Sequence, residues 1–336
     1  MNRITTNWKI AGTLSYRLSS KKLFRKYGAN LQNKDNILRH CFIADDGKEL
    51  CQTDQAGAEA LILAYLCPPD SNYRKLILHG VKHHIFTAMH LFANYWTAKL
   101  GINDFSIYLK SDVSELKNTP NWGVLAKEIK NHEVYYYIGK KAGLSFNYGL
   151  MPKNFAKAVL LETGAKIRLS VDESTRVYST YHSIFPEIRR WHCEVIDTLS
   201  KQGQILRNLQ RYPIHLTSGV WNDDLFKRAY ASIPQSTVGT ITNLAFTRLQ
   251  KMIDGNASEI RGYDANLLQN GHDSILSQCA IGAGMEWSKI VKNEIEQELE
   301  NFHGEKFKMK SESGIGRNWG KYNEQTNPNG IKEILL

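Results

Sequence analysis

The chain has 336 residues, of which 42% are hydrophobic and 23% charged, a balance that excludes wholesale disorder and allows a substantial core. Lys and Arg outnumber Asp and Glu by 43 to 33, a net charge of +10, and nine of these bases stand in the first 40 residues beside a single acid, Asp35. A basic segment of this kind suits a polyanion such as nucleic acid. No apolar run approaches the roughly 20 residues of a membrane span, and five scattered cysteines without a CxxC pair indicate reduced intracellular thiols.

The N-terminal part predicts loops followed by a strand that leads into a helix. Residues 1–35 are polar and basic with little periodicity, whereas CFIADDGKELCQTD (41–54) predicts two short strands joined by Asp-Asp-Gly. AGAEALILAYL then predicts a helix. Asp54 therefore lies where a strand passes to a helix, a common place for chemistry; a plain helix-capping aspartate is an equal alternative.

The remaining pattern predicts a helical insertion inside a strand-bearing domain. Residues 70–200 are mostly helical in pattern, and 203–217 is rich in strand signals. A helix is predicted near 236–253, opened by a turn around Pro234, and another over 288–302. Strands before and after the insertion favour one core interrupted by a second.

Residues 266–279, NLLQNGHDSILSQC, predict a hairpin because Asn-Gly joins two apolar runs. Asp273 then stands at the turn, where a solvated aspartate is the ordinary interpretation. If both strands share a sheet with the strand of Asp54, the two carboxylates repel unless a cation holds them. Mg²⁺ binds one or two carboxylates plus substrate phosphates, and two such ions can clamp a phosphoryl transfer. The carbonyl of Gln55 is a plausible third ligand.

A second candidate stripe lies in GKKAGLSFNYGLM (139–151). Lys140, Leu144 and Tyr148 stand at i, i+4 and i+8 and would share one helix face. Such a stripe could hold a triphosphate at one end and stack a base at the other. An amphipathic helix with a snorkelling lysine is the ordinary alternative.

Together these segments resemble the motifs of the family A (polymerase I-like) DNA polymerases. TDQAGAEALILAYL is similar to motif A, GKKAGLSFNYG to motif B and NGHDSIL to motif C. Further landmarks follow in the family's order: TLSYRLSS…GANLQN (13–33), KHHIFTAMHLF (82–92), RAYASIPQSTVGT (228–240) and IGRNWG (315–320). The patterns Asp-Gln-x-Gly-Ala-Glu-Ala and Pro-Gln-Ser-Thr resemble phage-type members more than bacterial repair polymerases.

The resemblance implies an α/β (α+β) fold, a right-hand polymerase palm with an antiparallel sheet, interrupted by a mostly helical fingers subdomain. Residues 1–67 would be the N-terminal part of the palm with primer- and template-binding loops, 68–200 the fingers, and 201–336 the C-terminal part of the palm. Family members carry an exonuclease-like domain and a thumb before the Arg-Leu-Ser-Ser signature, and we expect both to be absent. Either another chain supplies the thumb, or the chain is a truncated gene product.

The implied activity is template-directed transfer of dNMP to a primer 3′-hydroxyl, without a proofreading domain, using two Mg²⁺ ions that Mn²⁺ can replace. Asp54, Asp273 and Lys140 would be catalytic, with the metal ions on both aspartates and on the Gln55 carbonyl. Incoming-nucleotide contacts are implied for Glu59 as a steric gate at the sugar 2′ position, and for His84, Lys140, Leu144 and Tyr148. Primer and template contacts are implied for Arg17, Asn30, Gln32, Arg39, Arg207, Arg228, Gln235 and His272.

The expected partners are primer–template DNA and dNTPs, with a second chain if another protein supplies the thumb. The expected location is the cytoplasm of a bacterial or phage-infected host cell, without contact to membranes.

Four positions depart from the family pattern: Tyr136 replaces an arginine, Gly57 a glutamine, Ser274 a glutamate, and Leu144 an aromatic residue. The alternative is therefore a catalytically weak or inactive polymerase remnant or subunit that binds primer–template. A single-subunit RNA polymerase relative is a third hypothesis, which Glu59 disfavours.

Overall fold

The structure is a computed structural model, and it describes residues 4–10, 12–21, 30–32, 34–216 and 220–336. Four bases of the N-terminal basic segment, Arg3, Lys22, Arg25 and Lys26, lie outside the described residues.

Short strands lie on either side of a run of ten α-helices in the described chain. The strands are β1 (Asn7–Lys9), β2 (Ser19–Lys21), β3 (Lys48–Gln55), β4 (Ile205–Arg207), β5 (Pro213–His215), β6 (Asn266–Asn270), β7 (Ser274–Ala280), β8 (Glu298–Glu300), β9 (Lys306–Lys308), β10 (Ser311–Gly316) and β11 (Lys332–Ile334). The α-helices are α1 (Ala58–Leu66), α2 (Asn72–Leu78), α3 (His83–Leu91), α4 (Ala93–Leu100), α5 (Ser106–Lys110), α6 (Trp122–Asn131), α7 (Glu133–Phe146), α8 (Pro152–Glu162), α9 (Val171–Ile184), α10 (Pro186–Lys201), α11 (Asp223–Asp254) and α12 (Gly284–Ile295). Among the residues described, no helix combines the length and the apolar character needed to cross a membrane.

The chain divides into two compact units, each discontinuous in sequence. The sheet unit comprises Met1–Glu59, Arg207–Ile214 and Ser232–Leu336, and the helical unit comprises Ala60–Leu206 and His215–Ala231. The assignment of palm and fingers to particular segments stays a prediction.

The sheet unit is built on five antiparallel strands in the order β11-β10-β3-β7-β6. β3 lies at the centre, and β6 pairs with β7, so the hairpin predicted over 266–279 is confirmed. The mixed fold with an antiparallel sheet is confirmed as well.

Alternate residues of β3 face opposite sides of this sheet, as the pleat requires. On one side Cys51 packs with residues of β7, α11 and α12 in the larger core, which includes Ile275, Leu249 and Trp287. On the other side Leu50 packs in a small cluster with Leu276 and Trp319. Asp54 is four residues after Leu50 in β3, so its side chain projects from the same face of the sheet, which is the more open one.

Three predicted elements are wrong in their bounds. The helix expected to open at Pro234 begins at Asp223 and contains the proline in its interior, with Asp223 and Asp224 in the first turn, where acids favour a helix start. The helix predicted over 288–302 spans Gly284–Ile295, because Glu298–Glu300 pairs as a strand with β9. The first strand predicted within 41–54 is reduced to an isolated bridge between Ile43 and Asn318.

Candidate active site

The sheet brings Asp54 and Asp273 together at the ends of neighbouring strands. Asp54 stands opposite Ser274 in the β3–β7 ladder, and Asp273 directly precedes β7. The backbone N–H of Gln55 donates to the carbonyl of Asp273 over 2.9 Å. The pairing of β3 with β7 therefore places the two aspartates next to each other, as predicted.

Both carboxyl groups hold their protons more tightly than usual. Burial raises the pKa of Asp54 to about 7, with further contributions from the charges of Asp273 and Glu312, while Arg39 acts in the opposite direction. Burial also raises the pKa of Asp273, although Arg17 opposes the shift. Two carboxylates close together in a part-buried site repel each other, and a bound cation would stabilise their ionised forms.

The same two residues fit a divalent metal ion. Asp54 Oδ1 is buried and has no hydrogen-bond partner among the described residues, so an acceptor oxygen is left for a cation. Gln55 is the last residue of β3, so its backbone carbonyl stands at the same strand end. Within the described ranges no three His, Cys, Asp or Glu side chains form a metal-holding group. Such a site suits Mg²⁺, which binds through one or two carboxylates and keeps waters and substrate oxygens as its other ligands.

Arg17 and Glu59 form an ion pair in the sheet unit. Arg17 Nη2 donates to Glu59 Oε1 over 2.7 Å, and both residues act electrostatically on Asp273. The segment before Arg17 lies against α11 at Gly239, where a Cβ would come within 2.9 Å of the Ser15 carbonyl. The structure thus gathers three residues that sequence motifs far apart in the chain predicted for the site.

His272 occupies a strained turn that several polar groups hold. Its φ is +77°, uncommon for a residue other than glycine. Thr242 Oγ1 donates to its carbonyl (2.9 Å), and its N–H donates to Asn270 Oδ1 (3.1 Å). The Gln32 amide lies 3.3 Å from its Nδ1, which brings two predicted primer and template residues together. Burial and the charge of Arg17 lower the pKa of His272, so the ring is neutral at pH 7.

Arg39 lies on the open face of the sheet beside Asp54. Its guanidinium stands 4.6 Å over the ring of Trp319, whose Nε1 donates to Gln52 Oε1 over 2.9 Å. These groups line a cavity of about 570 Å³ that Asp54 and Glu312 also line. Arg39 is thereby held where its charge acts on Asp54.

The other predicted nucleic-acid residues of the sheet unit have local partners. Asn30 is exposed and its side chain accepts from the Gln32 N–H over 3.1 Å. Arg207 is exposed and donates to the Arg211 carbonyl over 2.9 Å. Gln235 is half-buried on α11.

In the helical unit, two glycines let α3 lie directly against α7. A Cβ at Gly139 would stand 2.4 Å from the His84 carbonyl, and one at Gly143 would stand 2.5 Å from His83 Nε2. Only glycine permits so close an approach. The Gly-x-x-x-Gly spacing of GKKAG is the sequence signal for this contact.

His84 and Tyr136 face each other across this α3–α7 contact. The Tyr136 hydroxyl is hydrogen-bonded to His84 Nε2 at 3.1 Å, and the two rings meet edge to face. Burial, assisted by His83, Lys82 and Lys140, lowers the pKa of His84 to about 3. His84 is therefore a neutral imidazole at pH 7 before any phosphate binds, and the negative charge of a bound phosphate would raise its pKa again.

The stripe predicted on α7 is shorter than expected. Lys140 and Leu144 are exposed one turn apart, but α7 ends at Phe146, so the helical placement of Tyr148 is wrong. Lys141, the base next to Lys140 on α7, is ion-paired with Glu162 at 2.5 Å. Arg228 is exposed in the first turns of α11, where its Nε donates to the Asp224 carbonyl.

Asn147, which sequence reasoning missed, holds the end of α7. Its buried side chain donates to the Tyr73 hydroxyl (3.1 Å) and accepts from the Tyr181 hydroxyl (2.6 Å). Its carbonyl is bonded to His192 Nε2 at 2.8 Å. An Asn before Tyr-Gly looks like an ordinary turn residue, and its three partners come from distant helices.

Comparison with solved structures finds a similar fold in a polymerase domain. The POL domain of Pol1 from M. smegmatis, solved in complex with DNA primer-template and dNTP, is similar to this chain with a TM-score of 0.69 and 19% sequence identity. The match covers 95% of this chain and 48% of that chain, so this chain spans about half the length of that structure. No protein-family model and no curated protein sequence matches the chain.

Proposed function

We propose that the protein is a family A DNA polymerase that adds dNMP to a primer 3′-hydroxyl under the direction of a template. The observation that carries the proposal is the meeting of Asp54 and Asp273 at one end of a central antiparallel pair, with a buried carboxylate oxygen left without a donor. The likeness of the fold to a polymerase domain solved with primer-template and dNTP supports it.

In this reaction the 3′-oxygen of the primer attacks the α-phosphorus of the dNTP, a new phosphodiester forms, the bond to the β-phosphate breaks, and pyrophosphate leaves. The hydroxyl proton is lost to solvent or a nearby base. Mg²⁺ bound at Asp54, Asp273 and the Gln55 carbonyl would supply charge neutralisation for this chemistry. The two carboxylates hold and orient that charge, and Lys140 contributes a further positive charge to the triphosphate.

We assign the nucleotide contacts to Glu59, His84, Lys140, Leu144 and Tyr148. The ion pair with Arg17 fixes the Glu59 carboxylate in one position, which a steric gate at the sugar requires. The His84 imidazole is neutral before the nucleotide binds, so its contact with the triphosphate starts from the uncharged ring.

We assign the primer and template contacts to Arg17, Asn30, Gln32, Arg39, Arg207, Arg228, Gln235 and His272. The net charge of +10 supports a nucleic-acid partner. The bond between Gln32 and His272 supports a shared role for these two residues at the primer end.

A second candidate function is a primer–template-binding subunit of low or absent activity. The specific observation in its favour is the His84–Tyr136 pair, because Tyr136 takes the sequence position of an arginine in the family pattern and is hydrogen-bonded to His84 instead of offering a positive charge. Retention of both aspartates and of Glu59 favours the active enzyme.

Primer extension on a labelled primer–template with Mg²⁺ or Mn²⁺ tests the proposal. We expect templated extension by the wild type, loss of extension in Asp54→Ala with DNA binding kept, and unchanged extension in the control Asp46→Asn, which alters an exposed acid of the same unit. Extension that survives in Asp54→Ala would overturn the metal assignment. Binding without extension by the wild type would favour the second candidate.

A further inference from the structure

We propose that Glu312 is a third carboxylate of the divalent-metal site and that it acts on the ion through a metal-bound water. The inference rests on the proposed function, because it assumes an ion at Asp54 and Asp273. It adds a positioning residue from β10, a strand outside the motif A and motif C segments.

The register of the sheet places Glu312 directly opposite Asp54. β3 has two neighbours, and Asp54 pairs with Glu312 on β10 and with Ser274 on β7. Directly opposed residues of an antiparallel pair project from the same face, with Cβ atoms about 4.5–5.5 Å apart. Both Glu312 and Asp54 line the cavity of about 570 Å³ on the open face.

This arrangement costs stability unless a cation is bound. Like charges directly opposite each other destabilise a sheet, and Glu312 is one of the charges that act unfavourably on Asp54. Arg39 and Lys321 line the same cavity as Glu312, but among the described residues no Lys, Arg or His forms an ion pair with Glu312. The charge of Arg39 offsets the repulsion at Asp54 in part, and a bound divalent ion would offset it further.

The geometry favours an indirect contact over direct ligation. Glu312 does not join Asp54 and Asp273 in a three-residue metal group of the described chain. Mg²⁺ keeps several waters when proteins bind it, and the cavity leaves room for them. A carboxylate that accepts from such a water orients it and strengthens binding, and loss of an outer partner of this kind typically weakens metal affinity by about 10–100-fold.

Titration of the metal-free protein with Mn²⁺, followed through the electron paramagnetic resonance of the free ion, tests the inference without using activity. We expect Glu312→Gln to weaken Mn²⁺ binding by about tenfold or more. The matched control is Glu333→Gln, which removes an acid from another wall of the same cavity and should change affinity by less than about twofold. Glu312→Gln should fold well, because it removes a repulsion.

The double variant Glu312→Gln/Ser274→Glu supplies the decisive comparison. It moves the carboxylate to the other neighbour of Asp54, and restored Mn²⁺ affinity would support a role of Glu312 toward the ion. Failure of this rescue would overturn the inference in favour of a structural effect. If Asp54→Asn and Asp273→Asn abolish binding but Glu312→Gln does not, the inference is wrong and the proposed function stands. If the wild type binds no Mn²⁺ and extends no primer, the proposed function itself fails.

Discussion

At the scale of single residues, Asp54 makes the stability of the metal-free protein depend on pH. Its pKa is about 7 in the fold and 3.8 in an unperturbed carboxyl group. Between these two values the carboxyl group is protonated in the folded state and ionised in the unfolded state, so ionisation stabilises the unfolded state. Stability is therefore lost as pH rises from about 4 to 7 and is level above that range.

Asp54→Asn should abolish this loss. In EDTA at pH 8 we expect the variant to be more stable than the wild type by about 1–3 kcal/mol, after allowance for partial exposure, and to lose this advantage near pH 4. Urea unfolding at pH 4, 6 and 8 measures the difference. Equal stability of the two proteins at every pH would contradict the assigned environment of Asp54.

Glu59 is the residue on which sugar discrimination should depend. The Arg17 ion pair holds its carboxylate in place, so Glu59→Ala should open the site to a 2′-hydroxyl and lower the preference for dNTPs over rNTPs by about tenfold or more. Competition between labelled dNTP and rNTP in single-nucleotide addition measures the ratio. Glu298→Ala, an exposed acid of the same unit, is the control, and an unchanged ratio in Glu59→Ala would rule out the gate.

At the scale of elements, the α3–α7 contact depends on the absence of two side chains. Gly143→Ala or Gly139→Ala should force the helices apart, with a loss of about 1–3 kcal/mol in the free energy of unfolding. Gly123→Ala on α6 is a matched helical control, since a Cβ there meets no atom within 4 Å. That control should be neutral or more stable by up to about 1 kcal/mol. Similar losses in all three variants, measured by urea unfolding, would contradict the close-approach argument.

Local patterns predicted the elements that carry the two aspartates. Asn-Gly between apolar runs was enough for the β6–β7 hairpin, and the strand-to-helix passage at Asp54 followed from residue type and periodicity. Both signals lie within a few neighbouring residues, and tertiary packing agrees with the local structure that they predict.

Elements that depend on distant partners were less predictable. Leu299 fits a helical spacing with Ile295, yet it is buried between exposed Glu298 and Glu300 because β9 pairs with that segment. Pro234 predicts a helix boundary, although α11 continues through it with buried residues on either side, among them Ile233 and Ser236. The pairing of Glu312 with Asp54 and the three partners of Asn147 are long-range facts that no local pattern contains.

At the scale of the whole molecule, the excess positive charge predicts DNA binding that weakens with salt. The logarithm of the binding constant should fall linearly with the logarithm of salt concentration, with a slope of about −0.9 for each phosphate neutralised. Arg228→Gln should reduce the slope by about one such contact. The control is Arg176→Gln, an exposed arginine on α9 that we assign no DNA contact, and equal effects of both variants would indicate non-specific binding only.

The central claim is that Asp54 and Asp273 act together as one catalytic site. Single-turnover addition of one templated nucleotide should be measured for the wild type, Asp54→Asn, Asp273→Asn and the double variant, at saturating primer–template and Mg²⁺. Because groups that act as a unit are strongly non-additive, the double variant should lose little more rate than either single variant. Losses that add on a logarithmic scale, or a single variant that keeps the wild-type rate, would contradict the claim.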